Sequence, residues 1–409
     1  MMRLQTPRRL VLRLGCSCER LTACALAGSP FSFKDVPMAL DLYHPGLRGV
    51  IAGETNISSL DNGLIYRGYC IHDLAEESNY QEVCYLLLHE ELPTEEELAD
   101  FRSIMLEEME LPEPVTAVLE SLPLHVTPLE ALRTGVSLLA HFDPQTSDGP
   151  LDSGHSQAVR LLARVPMLIA AWHRLRSGGP LPAPAMHLGY AGNFYYLITG
   201  KEPPVLFERA FDSALIAAAE HEFNPSTYAA RMVGSTGGDL YAAVTAGLGV
   251  LAGSRHGGGD DRVLDIIQSV ESPDRATEWA REACQSNSII PGFGHPVYKD
   301  CDPRAALLET HCAELAGACG CEPMEEIADA IERAVWEERK LPVNIDWSLS
   351  RLLHYLGLPR ELYVPIFAAA RIAGWCAHVI EQADCDHVIR PRARYRGVEE
   401  RPYVRIWDR

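Results

Sequence analysis

The stretch VPIFAAARIAGWCAHVIEQ, residues 364–382, sets Ala and Gly among large apolar side chains. Small residues let helix backbones approach closely, so the stretch reads as a buried helix around which other helices pack. Arg371 falls in its middle, and a buried guanidinium is costly unless it meets an anion. The chain must therefore build a helical body and supply a reason for a cation inside it.

Helix signals dominate from about residue 70 onward. Thr94 with Glu97 forms a capping box ahead of Leu98, Phe101 and Met105, and Thr127 with Pro128 and Glu130 repeats the device ahead of Leu129, Leu132, Val136 and Leu139. Ser272 followed by Pro273 opens another helix. Leu240 to Ser254 reads as a packed helix and its exit. Residues 145–155 and 176–184, rich in Ser, Asp, Gly and Pro, read as loops. Strand signals are confined to NISSLDNGLIYRGY, where Asn62-Gly63 favours a tight hairpin turn. The expected class is all-α with one small N-terminal β-hairpin.

A formal net charge of -20 argues against nucleic acid or an anionic membrane surface as partner. No uncharged apolar run reaches the roughly 18 residues of a membrane span. Twelve cysteines without a repeated spacing, in a chain long enough to need no staples, read as reduced thiols. His311, Cys312, Cys319 and Cys321 lack a second cluster of matching spacing and read as helix-end and loop residues rather than metal ligands. Residues 1–37 carry six Lys+Arg against two Asp+Glu, leaving 30 against 54 in the body. That leader reads as an upstream start ahead of Met38 in a cytoplasmic protein, or alternatively as a transit segment to the mitochondrial matrix.

Four stretches combine helix breakers with titratable side chains: EHEFNPSTYAAR (220–231), LAGSRHGGGDD (251–261), PGFGHPVYKDCDPRA (291–305) and LPVNIDWS (341–348). Asp346, after a proline and between Ile345 and Trp347, reads by itself as a plain helix N-cap, though its apolar setting also suits a desolvated general base. His256 precedes three glycines that would let backbone approach a ligand or simply turn the chain. His295, bracketed by Gly292, Gly294, Lys299 and Arg304, is poised to donate to an anionic ligand's oxygen. His221, between Glu220 and Glu222, gains interest only from its company.

Together these stretches, in this order and at these separations, resemble the citrate synthase family over roughly residues 46–396. The family's signature runs Gly-aromatic-Gly-His on to Asp-Pro-Arg, as here at 292–304. The resemblance implies a large helical domain, 38–256 and 352–409, with a smaller inserted helical domain, 257–351, that closes over the substrates once oxaloacetate is bound. It implies a citrate synthase reaction, with 2-methylcitrate formation from propanoyl-CoA as the alternative. Asp346 would take a proton from the acyl-CoA, His256 would bind the thioester oxygen and His295 would donate to the keto oxygen of oxaloacetate. His221, Arg304 and Arg371 would hold oxaloacetate, joined by Arg390 from the neighbouring subunit of a homodimer. Ile289, Ile290, Pro291, Gly292, Gly294 and Lys299 would line the coenzyme. No permanently bound cofactor or metal is implied, the acyl-CoA being a co-substrate.

One stretch departs from the pattern. Where the family usually runs Gly-Pro-Leu-His-Gly and then Ala-Asn-Glu, this chain has GSRHGGGDD. An ion pair of Arg255 with Asp260 or Asp261 would compensate. The same departure motivates a reading from another class, a paralogue that binds dicarboxylate or coenzyme A without turnover.

Overall fold

A computed structural model describes residues 43–61, 63–146, 150–286 and 288–409. The leader, Met38 and Asn62 of the expected hairpin turn lie outside the described residues. Helices α1 (Ile71–Glu77), α2 (Tyr80–His89), α3 (Glu95–Glu107), α4 (Glu113–Ser121) and α5 (Pro128–Leu139) lead to the long α6 (Pro150–Ser177). Then come α7 (Tyr190–Thr199), α8 (Val205–Ala219), α9 (Pro225–Gly234), α10 (Leu240–Leu251), α11 (Arg262–Val270) and α12 (Ala276–Gln285). The last four are α13 (Pro303–Cys319), α14 (Glu322–Arg339), α15 (Ile345–Tyr355) and α16 (Tyr363–Ala383).

Local chemistry explains most of these boundaries. Thr94 and Thr127 cap α3 and α5, each with the reciprocal glutamate bond that the spacing predicts. Ser272-Pro273 opens a three-residue 3-10 turn instead of an α-helix, and α12 begins only at Ala276. The loop expected over 145–155 is shorter, because α6 starts at Pro150. Gly154 is the misleading residue: a Cβ there would come within 2.8 Å of Ile380, so this glycine serves close helix packing and not a turn.

The strands β1 (Ser58–Ser59), β2 (Ile65–Tyr66) and β3 (Tyr69–Cys70) form an antiparallel meander. Its second turn, Arg67-Gly68, has φ of 47° and 92°, as a two-residue turn with the twist of the strands requires.

By their contacts the described residues fall into two compact units. One is 43–52 with 393–409, in which Arg394 lies over the Tyr43 ring at 5.2 Å. The other, Gly53–Arg392, contains two apolar cores. The larger core is organised on α16, which packs against α2, α6, α8, α9 and α10. By length and composition Arg360–Ala383 would pass for a membrane span, but 89% of its apolar window is buried in the protein. The smaller core joins α11, α12 and α14 through Val263, Ile267, Ala280, Ile331 and Val335, with Phe293 and Trp347. Helices α13 and α15 turn Leu308, Cys312, Leu349 and Leu352 into the larger core.

Candidate active site

The loop 289–302 is laced to the segment ahead of α15. The Gly294 N–H donates to the Pro342 carbonyl at 2.7 Å and the Asn344 N–H to the Gly292 carbonyl at 2.8 Å, around a Phe293–Val343 bridge. Gly292 has φ +82°, and a Cβ there would meet Trp347 at 2.9 Å, so this close lacing needs glycine. Asn344 caps α15, its side-chain oxygen accepting the Asp346 N–H at 3.0 Å. Asp346 is therefore not the cap, and its carboxylate is free for another task.

That carboxylate is 6% exposed and accepts the N–H groups of Gly258 (2.9 Å) and Gly259 (2.7 Å). Burial pushes its pKa up, the two N–H bonds oppose this, and Asp260 adds to the rise. A Cβ on Gly259, whose φ is +86°, would lie 2.6 Å from the Tyr363 backbone. The glycine run after His256 is thus what lets two backbone donors reach Asp346, while Arg255, Asp260 and Asp261 carry the departure from the family pattern. The expected Arg255 pairs do not form. Arg262 takes Asp260 (2.6 Å), Arg360 takes Asp261 (3.0 Å), and Arg255 is exposed.

His256 reaches the Gly257 carbonyl with Nδ1 at 2.8 Å and the Ser226 hydroxyl with Nε2 at 2.9 Å. A carbonyl only accepts, so Nδ1 carries the proton and Nε2 takes one from Ser226. Ser226 in turn accepts the Trp375 indole N–H at 3.2 Å, while Asn224 Oδ1, 2.7 Å away, competes for its proton. Burial lowers the His256 pKa, leaving a neutral donor. Ser226 escapes sequence reasoning because it stands 30 residues away, hidden in the helix opening of α9. Ser226→Ala is expected to lower kcat by roughly tenfold, since it loosens the His256 tautomer, and to lower the unfolding temperature as well, since it leaves the buried Trp375 N–H without its acceptor. Steady-state rates beside thermal unfolding check it.

In His295, Nδ1 accepts the N–H groups of Val297 and Tyr298, both at 3.1 Å, so the proton resides on Nε2. Burial, aided by Arg304, pushes its pKa down to about 4, and it stays neutral. Its ring stacks on Tyr298 at 4.6 Å and meets the buried His221 edge-on at 5.1 Å. His221 Nε2 lies 3.2 Å from the Tyr298 hydroxyl, a partner 77 residues away that no local motif signals, and burial holds its pKa well below the usual imidazole value.

Two buried guanidiniums complete the cluster. Arg304 donates from Nε and Nη2 to both oxygens of Asp302 (2.9 and 2.7 Å). Arg371, 1% exposed, donates from Nε to the Ala218 carbonyl, while its Nη2 has no partner among the described residues. Burial lowers the Arg371 pKa to about 10, with Arg304 adding to the strain and Glu220 relieving it. A buried cation with an idle donor is a place for an anion.

The remaining expected residues are less gathered. Ile289 is 80% exposed, Ile290 is buried in the smaller core, Pro291 is half-buried, and Gly294 has φ +79°. Lys299 is exposed and folds its Nζ onto the carbonyls of His295 (3.1 Å) and Pro296 (2.8 Å). Arg390 is exposed and donates from Nη1 to the neighbouring Pro391 carbonyl at 3.4 Å.

Residues 46–392 match the family model described as the citrate synthase C-terminal domain. Citrate synthase 2 of Bacillus subtilis is 38% identical over 366 residues, 89% of this chain and 98% of that protein. The 2-methylcitrate synthase of Shewanella oneidensis is 37% identical over 89% of this chain and 97% of its own length. A ternary complex of carboxymethyl coenzyme A and oxaloacetate with citrate synthase from the archaeon Thermoplasma acidophilum superimposes with a TM-score of 0.83 at 27% identity, over 89% of this chain and 99% of that one. Sequence, fold and the clustering of three histidines, two arginines and a desolvated aspartate agree: the chain belongs to the citrate synthase family of acyltransferases.

Proposed function

We propose that this chain condenses oxaloacetate with acetyl-CoA to give citrate and coenzyme A, with propanoyl-CoA and 2-methylcitrate as the alternative pair. The observation that carries the reading is Asp346, a buried carboxylate of raised pKa beside a neutral His256 donor. Asp346 takes the proton from the carbon next to the thioester carbonyl. A carboxylate can do so only if the developing oxyanion is neutralised as it forms, and the His256 Nδ1–H, turned from Gly257 to that oxygen, does this. The new carbon nucleophile attacks the keto carbon of oxaloacetate, and His295 Nε2–H gives its proton to the keto oxygen. Water then cleaves the thioester and releases coenzyme A.

Arg304 and Arg371 receive the carboxylates of oxaloacetate, with His221 against it, and Ile289 to Gly292, Gly294 and Lys299 lie along the coenzyme. Arg390 reaches the site of a second copy, so the working unit is a homodimer. The smaller core, within 257–351, closes on the larger once oxaloacetate is in place, and the chemistry uses no resident metal or cofactor. Met38 as first residue and a cytoplasmic location belong to the same proposal. Mass spectrometry of the native amino terminus tests them.

The altered stretch SRHGGGDD that motivated a binding-only paralogue still supplies Gly258 and Gly259 as donors to Asp346, which favours turnover. Relatives of both synthase kinds match at 38% and 37% identity, so an assay decides the acyl group. Coenzyme A release should be measured with oxaloacetate and either thioester. We expect turnover with a higher kcat/KM for acetyl-CoA; a higher value for propanoyl-CoA would select the alternative, and silence with both would remove the synthase reading.

A further inference from the structure

Asp302 is fully buried, and its two oxygens accept four hydrogen bonds. Three come from Arg304, through its backbone N–H (3.1 Å), Nε (2.9 Å) and Nη2 (2.7 Å). The fourth comes from the backbone N–H of Ile345, 43 residues along the chain, at 3.1 Å. Ile345 is the first residue of α15, and the next residue is Asp346. One carboxylate therefore joins the arginine that would receive oxaloacetate to the helix start that carries the base.

The charge balance makes this junction responsive. Asp302 pairs the Nε–Nη2 edge of the Arg304 fork, leaving the Nη1 side for a substrate carboxylate, and Arg304 is itself 3% exposed, so neither group has much water to compensate a change at the other. A substrate carboxylate arriving at Arg304 draws guanidinium charge away from Asp302. The carboxylate then accepts more strongly from its two backbone donors, the N–H groups of Ile345 and Arg304, and tightens the entry to α15. Asp302 also caps α13, so the starts of two helices and one guanidinium share a single anion.

We propose that Asp302 is a positioning residue that couples dicarboxylate binding at Arg304 to the placement of Asp346, and through it to binding of the acyl-CoA. The inference rests on the synthase reading, and its test separates the two. The probe is a non-reactive thioether, carboxymethyl coenzyme A. Its affinity is measured by calorimetry with and without saturating oxaloacetate, and the ratio of the two is the coupling factor. A role that is merely structural weakens both affinities together and leaves this ratio unchanged.

Two variants probe the junction from opposite sides. Asp302→Asn keeps an acceptor for the caps but faces Arg304 with an amide. Ile345→Pro removes the N–H donor to Asp302 together with part of a buried apolar side chain, at a helix position where proline is tolerated, and Asn344 already has the extended backbone (φ -113°, ψ 178°) that proline requires before it. In the wild type, oxaloacetate should tighten the thioether at least tenfold. Both variants should reduce that factor to below threefold, and Ile345→Pro should still bind oxaloacetate alone within about threefold of wild type. Circular dichroism and unfolding temperature confirm that each is folded; if Asp302→Asn is not, Ile345→Pro decides alone. Retention of the wild-type coupling factor in a folded Ile345→Pro overturns the role of Asp302 and leaves the synthase reading intact. A wild-type protein that binds neither ligand overturns both.

Discussion

Asp346→Asn is expected to lower kcat by roughly two to four orders of magnitude while oxaloacetate binding stays within a few-fold of wild type. Asparagine is nearly isosteric and keeps an oxygen for the Gly258 and Gly259 N–H groups, so the loop around it survives. What disappears is the base. The same variant makes a second, opposite prediction about stability. Burial raises the Asp346 pKa, so the folded state binds the proton more tightly than the unfolded state. Stability from this group is therefore highest at acid pH and falls as pH rises through the window between the unfolded and the raised folded value. At neutral pH the ionised carboxylate is a cost, and the asparagine variant should unfold at an equal or higher temperature. Activity of the wild type runs the other way, lost as pH falls through the raised folded value, because only the ionised form is a base. Rate profiles against pH and thermal unfolding check both. A variant that loses activity and stability together would mean that Asp346 is a structural acid.

Arg371→Met should raise KM for oxaloacetate by roughly two orders of magnitude or more, because it removes a desolvated cation from a carboxylate site. Burial lowers the pKa of Arg371 from its ordinary value to about 10, which at neutral pH amounts to a folding cost on the order of 3 kcal/mol. By sign, this cost applies in full below the folded pKa and fades as pH rises from about 10 toward the ordinary guanidinium value. Methionine removes it and fills similar space among Phe367, Tyr80 and Tyr66, though Glu220 then loses a stabilising charge. We expect the unfolding temperature of the free protein to hold or rise, and the stabilisation by added oxaloacetate to vanish. A KM unchanged from wild type would take Arg371 out of the clamp.

How much of this was legible in the sequence depends on how far each interaction reaches along the chain. The capping boxes at Thr94 and Thr127 close within four residues, and α16 announces itself by composition, so both were readable. The signature loop was readable as a motif, and its His295 and Arg304 do gather around His221, while Ile289 and Lys299 stand exposed. The partners of Asp260 and Asp261 were not, because the true ones, Arg262 and Arg360, cannot be told from Arg255 without knowing which way the chain turns after Gly259. Ser226, Tyr298 and the Asp302–Ile345 bond were missed for the same reason: each matters through a neighbour 30, 77 or 43 residues away. Gly154 misled in the other direction, since a glycine that admits a neighbouring helix looks, in one dimension, like a glycine that turns the chain.

The position of α16 in the chain has a consequence for synthesis. Helices α2, α6 and α8 are complete by Ala219, yet the helix they pack against begins at Tyr363. At the usual pace of translation those earlier faces wait about 7 to 30 seconds for their partner. A nascent chain must shelter that apolar surface with provisional contacts or with a chaperone until the last long helix emerges. Because the same helix carries Arg371, the interior of the protein and its anion site are finished together, and no shorter nascent chain holds a working clamp.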